Sequence, residues 1–483
     1  MKKIILLPLL SALVLNASAT NSNNKTELND LRNEINLLKQ EIEGLKTTHE
    51  ENSNELEEIS DFTEEIEANS LKDKINFGLG FKTNLDNFSK KFADGKNINN
   101  ENIWSNKLML NMKADISDNM NFYGRLSMYK YWGSSSIHPY TYYDNMQGRV
   151  PADSAIYVER AYLNWFFYKD SAYPMALTIG RQPSSDGPSN QFKDNTVRKG
   201  TYSALLYDGA ADGVVLTTNI SKLLHNEQSY LRIGYSKGFG YSESSPEVGN
   251  AFIGASNNDI EDTNVVGVFL DTSVPSIKNS LIQVSYSHMF DIVANPLDTN
   301  STDNNNPNIG SLDLVGAMVE FTNLKNSHLD LFAQFGLSIA HPNGKGYKPY
   351  KNVGLLSSAG DQSDKRGYST WVGGRYGFGE KQKYKIGVEY NYGSQNWINL
   401  TQGSFDVYNK LATRGNAYES YLMYVINRYA NIRLGYVFID YNYTRSGWFV
   451  GASKKISSLS DPRETANTVE KLQSIYLKMS LNF

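Results

Sequence analysis

The chain has 483 residues, a net charge of −4, no cysteine, 32 tyrosines and 37 glycines. Without cysteine there is no disulfide framework, thiolate metal site or lipidated cysteine. The slightly acidic balance and the lack of a basic-aromatic module argue against nucleic acid as a partner. Mean hydropathy is −0.47, and no apolar run beyond the N-terminus is long enough for a transmembrane helix. A membrane barrel stays compatible with this, because it hides its hydrophobicity in alternation.

The N-terminus reads as a secretory signal over residues 1–19. Lys2 and Lys3 form the positive region, Ile4 to Leu15 the apolar core, and Ala17-Ser18-Ala19 the cleavage site. Residues 20–70 then predict an acidic helix. Leu28, Leu31, Ile35, Leu38, Ile42 and Leu45 follow three-four spacing, and the frame continues through His49 and Asn52 to Leu56, Ile59, Thr63 and Ile66. This is a coiled-coil seam with a polar centre, and Ile-rich first positions with Leu at the fourth lean towards a dimer. The net charge is −10 over 25–70 and +4 over 71–483.

From Lys74 onward the period is two. Sixteen strands are expected at 74–86, 103–116, 120–132, 155–168, 175–184, 210–219, 228–240, 263–274, 279–290, 312–323, 328–340, 368–378, 383–393, 417–428, 431–445 and 470–482. Their connections alternate short and long. The long ones, at 87–102, 133–154, 185–209, 241–262, 291–311, 341–367, 394–416 and 446–469, are rich in Gly, Asn, Ser and Asp. The fold class expected is therefore an all-β transmembrane barrel of sixteen antiparallel strands (71–483) preceded by an N-terminal α-helical coiled coil (20–70). Short turns and the helix belong to the periplasm, long loops to the outside. Trp104, Trp132 and Trp371 fit an outer aromatic girdle, Trp165 and Phe167 an inner one. Closure is required, because an open sheet edge cannot sit in lipid.

Alternation also assigns a water-facing wall. Phe77, Leu79 and Phe81 face lipid, which turns Lys82 inward. The same parity turns Lys107, Lys113, Arg125, Arg160, Arg232, Arg375, Lys385, Arg433 and Lys478 inward, with the acids Glu320, Asp330 and Glu389. Such a basic wall favours anions. The third long loop (Gly180–Gly213) carries Arg181, Asp186, Lys193, Asp194, Arg198, Lys199, Asp208 and Asp212. Opposed charges on a loop folded into the lumen would form a constriction. The spacing of Asp208 and Asp212 is not that of a calcium loop, and no metal or cofactor is expected.

The last stretch alternates Ile475, Leu477, Met479, Leu481 and Phe483 with Ser474, Tyr476, Lys478, Ser480 and Asn482. It resembles the closing strand of bacterial outer-membrane barrels, in which a terminal Phe such as Phe483 is part of the signal read by the barrel-assembly machinery. The segments FYGRLSMYKYWGSS (122–135), VERAYLNWFF (158–167) and GRQPSSDGP (180–188) resemble an outer-membrane family of epsilon-class proteobacteria known only as a domain of unknown function. The likeness implies a leader, a short coiled coil and a barrel over the whole mature chain, and supplies no functional residue. In architecture the chain is also similar to the porins, many of which are trimers.

The six histidines (His49, His138, His225, His288, His328, His341) show no metal-ligand spacing, and there is no G-x-S-x-G elbow. The expectation is not an enzyme. It is an outer-membrane porin for passive diffusion of small hydrophilic solutes, mildly anion-preferring, with loop 185–209 as constriction. Expected partners are outer-membrane lipid, lipopolysaccharide, the assembly machinery and copies of itself, a trimer favoured. A structural or adhesive surface barrel, plugged by its loops and tethered through its coiled coil, is the second reading. A substrate-specific channel is the third.

Overall fold

The structure is a computed structural model, which describes residues 35–39, 42–43, 75–131, 156–209, 211–226, 228–237, 263–293, 308–346, 353–401 and 408–483. It divides into two units, Met1–Asp73 and Lys74–Phe483. Of the first unit, residues 35–39 and 42–43 are helical. The rest of the expected leader and coiled coil lies outside the described residues.

The second unit is a closed antiparallel barrel of sixteen strands. They are β1 (Ile75–Phe92), β2 (Asn97–Ser117), β3 (Met120–Tyr131), β4 (Ile156–Phe167), β5 (Met175–Arg181), β6 (Asp212–Asn219), β7 (Ser229–Lys237) and β8 (Asn264–Thr272). They continue as β9 (Ser280–Val293), β10 (Asn308–Phe321), β11 (Leu329–Pro342), β12 (Lys365–Phe378), β13 (Tyr384–Gly393), β14 (Gly415–Val425), β15 (Ala430–Tyr441) and β16 (Val469–Asn482). Each strand pairs with its sequence neighbours, and β16 closes on β1 from Gly80↔Asn482 to Phe92↔Val469. Beyond the last strand pair, the Leu79 and Phe483 backbones exchange both hydrogen bonds, at 2.6 and 2.9 Å.

Period-two side chains explain why these residues form these strands. In β16, Ile475 and Leu477 are exposed, while Ser474, Tyr476, Lys478 and Ser480 are buried inside. The outer surface carries two aromatic zones. Tyr376, Phe378, Tyr384 and Tyr424 form a ring ladder near the short turns. Tyr368 with Tyr392, and Tyr390 with Tyr418 and Phe438, lie towards the long loops. Between the zones stand exposed aliphatics such as Ile386, Val388 and Leu422.

Two expectations change. The first hairpin is not a long loop at 87–102: β1 and β2 run on to Phe92 and Asn97, so that only 93–96 turn. Phe88 and Lys90 keep the inward parity and are buried, which extends the ladder. Trp371 is not a girdle residue. It has the inward parity of Ser369 and is fully buried, its indole donating to Glu389 Oε2 at 3.0 Å. Trp165 and Phe167 do pack together at the short-turn end, and Trp104 faces outward, donating to Thr83 Oγ1 at 2.6 Å. Trp132 lies outside the described residues.

Candidate functional site

The connection between β5 and β6, described over 182–209, folds into the barrel and crosses the lumen. Its docking is built from the wall outward. Two neutral wall side chains, Gln283 on β9 and Gln334 on β11, clamp its backbone. Gln283 accepts from Ser203 N at 2.9 Å and donates to the Thr201 carbonyl at 2.7 Å. Gln334 donates to the Pro188 carbonyl at 2.9 Å and accepts from Ser203 Oγ at 2.6 Å. Glu320 on β10 accepts from Ser189 Oγ and Gln191 Nε2, both at 3.0 Å. A buried carboxylate and buried amides satisfied in this way hold a unique geometry, because each would be costly unpaired.

At the tip, a short helix α1 (Asn190–Asp194) ends in Asn195, whose backbone is left-handed at φ 51°. Phe192 stacks on Phe332, and Arg375 donates to the Phe192 carbonyl. Asn195 Oδ1 accepts from Lys385 Nζ at 2.6 Å. Asp194 then reaches the far wall. Its carboxylate accepts from Lys82 on β1 at 2.8 Å and from Lys478 on β16 at 3.0 Å, with Arg433 of β15 at 3.6 Å. Burial alone would raise the Asp194 carboxyl, but these three cations hold it well below the usual range. Asp186 is tied to the same wall. Arg125 lies at 2.8 Å, Arg160 at 3.5 Å and Lys82 at 3.6 Å.

The wall residues expected from parity lie inside. Arg232 pairs with Asp271 at 2.7 Å, and Arg375 with Asp330 at 2.6 Å. Lys107 pairs with Glu159 at 2.9 Å. Lys113 pairs with Asp115 at 3.0 Å and borders a cavity of about 400 Å³ that Arg125, Arg160 and Lys199 also line. Two loop residues are not in the lumen. Arg181 and Asp212 sit in β5 and β6 with the outward parity of Ile179 and Val214, and pair with each other at 2.7 Å. Strand parity, not loop conformation, decides where they point. Arg198 is exposed, Lys193 approaches Glu419 at 3.9 Å, and Lys199 donates to Asn482 Oδ1 at 2.9 Å.

Inward acids exceed the three expected. Asp86, Glu159, Asp271 and Glu419 are buried inside as well. Glu159 and its neighbour Arg160 both point in because of a β-bulge: Arg125 pairs with Arg160, and Leu126 with Val158. Two adjacent residues facing one way is what a bulge does, and no alternation pattern shows it.

A second connection also enters the barrel through its described residues 394–401 and 408–414, which strand alternation does not reveal. Trp397 and Leu411 pack against Leu205, Leu206 and Trp371. The two segments share backbone bonds, Leu400 N to the Leu206 carbonyl at 2.8 Å and Asp208 N to the Leu400 carbonyl at 2.7 Å. Lys410 is fully buried and donates to both Glu389 and Glu419. Each large apolar side chain buried here contributes about 1.5–3 kcal/mol. Near the long-loop end, Leu355, Leu356, Ile398, Phe449 and Val450 form an apolar cluster with Met289, Ile292 and Leu312 of the wall.

Glycines on the wall make room. A Cβ on Gly336 would lie 2.5 Å from the Trp397 ring, and one on Gly316 2.3 Å from Leu206 Cδ1. What is left beside the inserted tip is a cavity of about 50 Å³. Its lining mixes Lys82, Arg433 and Lys478 with Asp86, Asp194 and Asp208.

The family model described as "Protein of unknown function (DUF3373)" matches residues 97–483. The chain belongs to this family. The DUF3373 match starts at β2, so it covers less than the whole mature chain that the resemblance implied. No curated protein matches. Among solved structures, the DUF3373 barrel is similar to Pseudomonas putida OprB at high pH, with 13% identity over 86% of this chain and 95% of that one, TM-score 0.48. It is also similar to Salmonella typhi OmpF in a complex with daunomycin (11% identity, 85% and 99%, TM-score 0.44). A third is the trimer form of Vibrio cholerae OmpT (10% identity, 85% and 99%, TM-score 0.43).

Proposed function

We propose that the protein is an outer-membrane channel for passive diffusion of small hydrophilic solutes, with segment 182–211 as its constriction. The observation that carries this is the inserted tip. Asp186 and Asp194 meet a wall of Lys82, Arg125, Arg433 and Lys478 and leave a charged cavity of about 50 Å³. Facing charges in a narrow lumen sort solutes by charge and size. The two aromatic zones with an aliphatic band between them support a lipid-spanning barrel. Three cations around one Asp194 carboxylate support a mild anion preference, which the additional inward acids moderate.

In this reading the long loops are extracellular, the N-terminal segment is periplasmic, and the protein is not an enzyme. Phe483 is read by the assembly machinery, lipid and lipopolysaccharide surround the barrel, and trimerisation is favoured. The implied origin in epsilon-class proteobacteria belongs to the same reading. The plugged surface barrel remains the second reading, and the burial of Trp397 and Leu411 beside Leu205 and Leu206 favours it. Conductance and reversal potential of folded protein in a planar bilayer under a salt gradient decide. Stepwise anion-selective conductance is expected, and a folded but non-conducting barrel overturns the channel in favour of the plug.

A further inference from the structure

Resting on the channel reading, we propose that Lys82, Arg433 and Lys478 form a binding site for the carboxylate of a small solute, and that Asp194 occupies it as a tethered stand-in. The three cations come from adjacent strands β15, β16 and β1, and all are more than nine-tenths buried. They divide between the two carboxylate oxygens: Lys82 is on Oδ2, Lys478 and Arg433 on Oδ1. A planar two-oxygen anion fits that division, whereas a single spherical ion satisfies it less well. The Arg433 guanidinium is fixed over the Tyr421 and Tyr476 rings, at 5.4 and 5.3 Å, so its position does not depend on Asp194 alone.

A second observation points to a ligand. Asn84 and Arg433 both line the cavity beside Asp194, and Arg433 Nε and Asn84 Oδ1 are buried without a hydrogen-bond partner among the described residues. One is a donor and one an acceptor, which suits a carboxylate solute bearing a further polar group, such as a hydroxyl. Exchange of the Asp194 carboxylate for the carboxylate of such a solute leaves the charge of the site unchanged. It requires the tip α1 to move off the wall, against the Phe192, Arg375 and Lys385 contacts that fasten it. A charged pair taken out of water is costly to break unless a replacement arrives with the same charge, so the site favours carboxylates over neutral solutes.

The test is calorimetric binding of glycolate to the full-length protein folded in detergent, with bilayer conductance measured in parallel. Removing a tethered competitor strengthens apparent affinity by about tenfold or more, so Asp194→Ala should bind glycolate at least that much more tightly than wild type. Asp212→Asn, whose partner is Arg181 outside the lumen, should not. Lys82→Gln in the Asp194→Ala background should abolish the gain. Equal glycolate affinity in wild type and in folded Asp194→Ala overturns the site, as does a gain that survives Lys82→Gln. Binding that behaves as expected in a non-conducting barrel overturns the channel reading and leaves the site standing.

Discussion

Phe192 of the inserted tip and Phe332 of strand β11 stack with ring centroids 5.8 Å apart and planes 20° from parallel. The contact fastens the segment at mid-lumen, where Phe332 also meets Trp371 edge-on. Phe192→Ala removes it. Truncating a buried Phe costs about 3–5 kcal/mol, here charged to docking of the segment and not to the barrel, whose ladder is untouched. Larger single-channel conductance is expected, together with faster tryptic cleavage at Lys193 and Arg198. Unchanged values of both would show that the polar clamps alone hold the tip.

Gly336→Val tests the second inserted segment. The added side chain starts 2.5 Å from the Trp397 ring and 3.0 Å from Leu206, so both must shift. Overpacking of this kind costs about 1–3 kcal/mol. Trp397 fluorescence should move to the red as the ring meets water. A blue, wild-type spectrum would mean that the wall yields instead.

How much of this was legible follows from the range of each signal. Period-two alternation is local, so all sixteen strands and the inward turn of Lys82, Arg125, Arg433 and Lys478 could be read directly. Glu159 could not, because its direction is set by a bulge opposite Arg125. Arg181 and Asp212 fall inside the expected strands 175–184 and 210–219, and the parity of Ile179 and Val214, followed to the strand ends, turns both outward and not into the constriction. The partner of Asp194 was beyond reach: Lys82 and Lys478 are 112 and 284 residues away in sequence. The second inserted segment does carry a local signal. Trp397, Ile398 and Leu400 are poor choices for a solvated loop, and together they announce burial.

Lys410 joins that segment to the wall through Glu389 and Glu419, and Tyr476 donates to Glu419 at 2.5 Å. Lys410→Met keeps the length and removes the charge, leaving two carboxylates close together and buried. Breaking such a network from one side costs about 3–5 kcal/mol. The expected result is a lower unfolding midpoint in detergent, with Glu389→Gln in the same chain restoring part of the loss. If Lys410→Met unfolds like wild type, the network is neutral to stability.

Asp208 predicts the pH response. Burial first, and the negative charge of Asp186 second, push its carboxyl up to about 7. In an unfolded chain the same group titrates at about 3.9. Between those values the docked segment keeps a proton that the undocked chain has lost, so docking weakens as pH rises from about 4 to about 7 and is level above that. Asp208 also borders the cavity beside Asp194, so its ionisation adds negative charge to the constriction. Reversal potentials measured from about pH 5.5 to about pH 8.5 should drift away from anion preference with a midpoint near 7. Asp208→Asn should hold the low-pH selectivity across the whole range. A drift that survives Asp208→Asn assigns the titration to another group, and the absence of any drift in wild type places Asp208 off the conduction path.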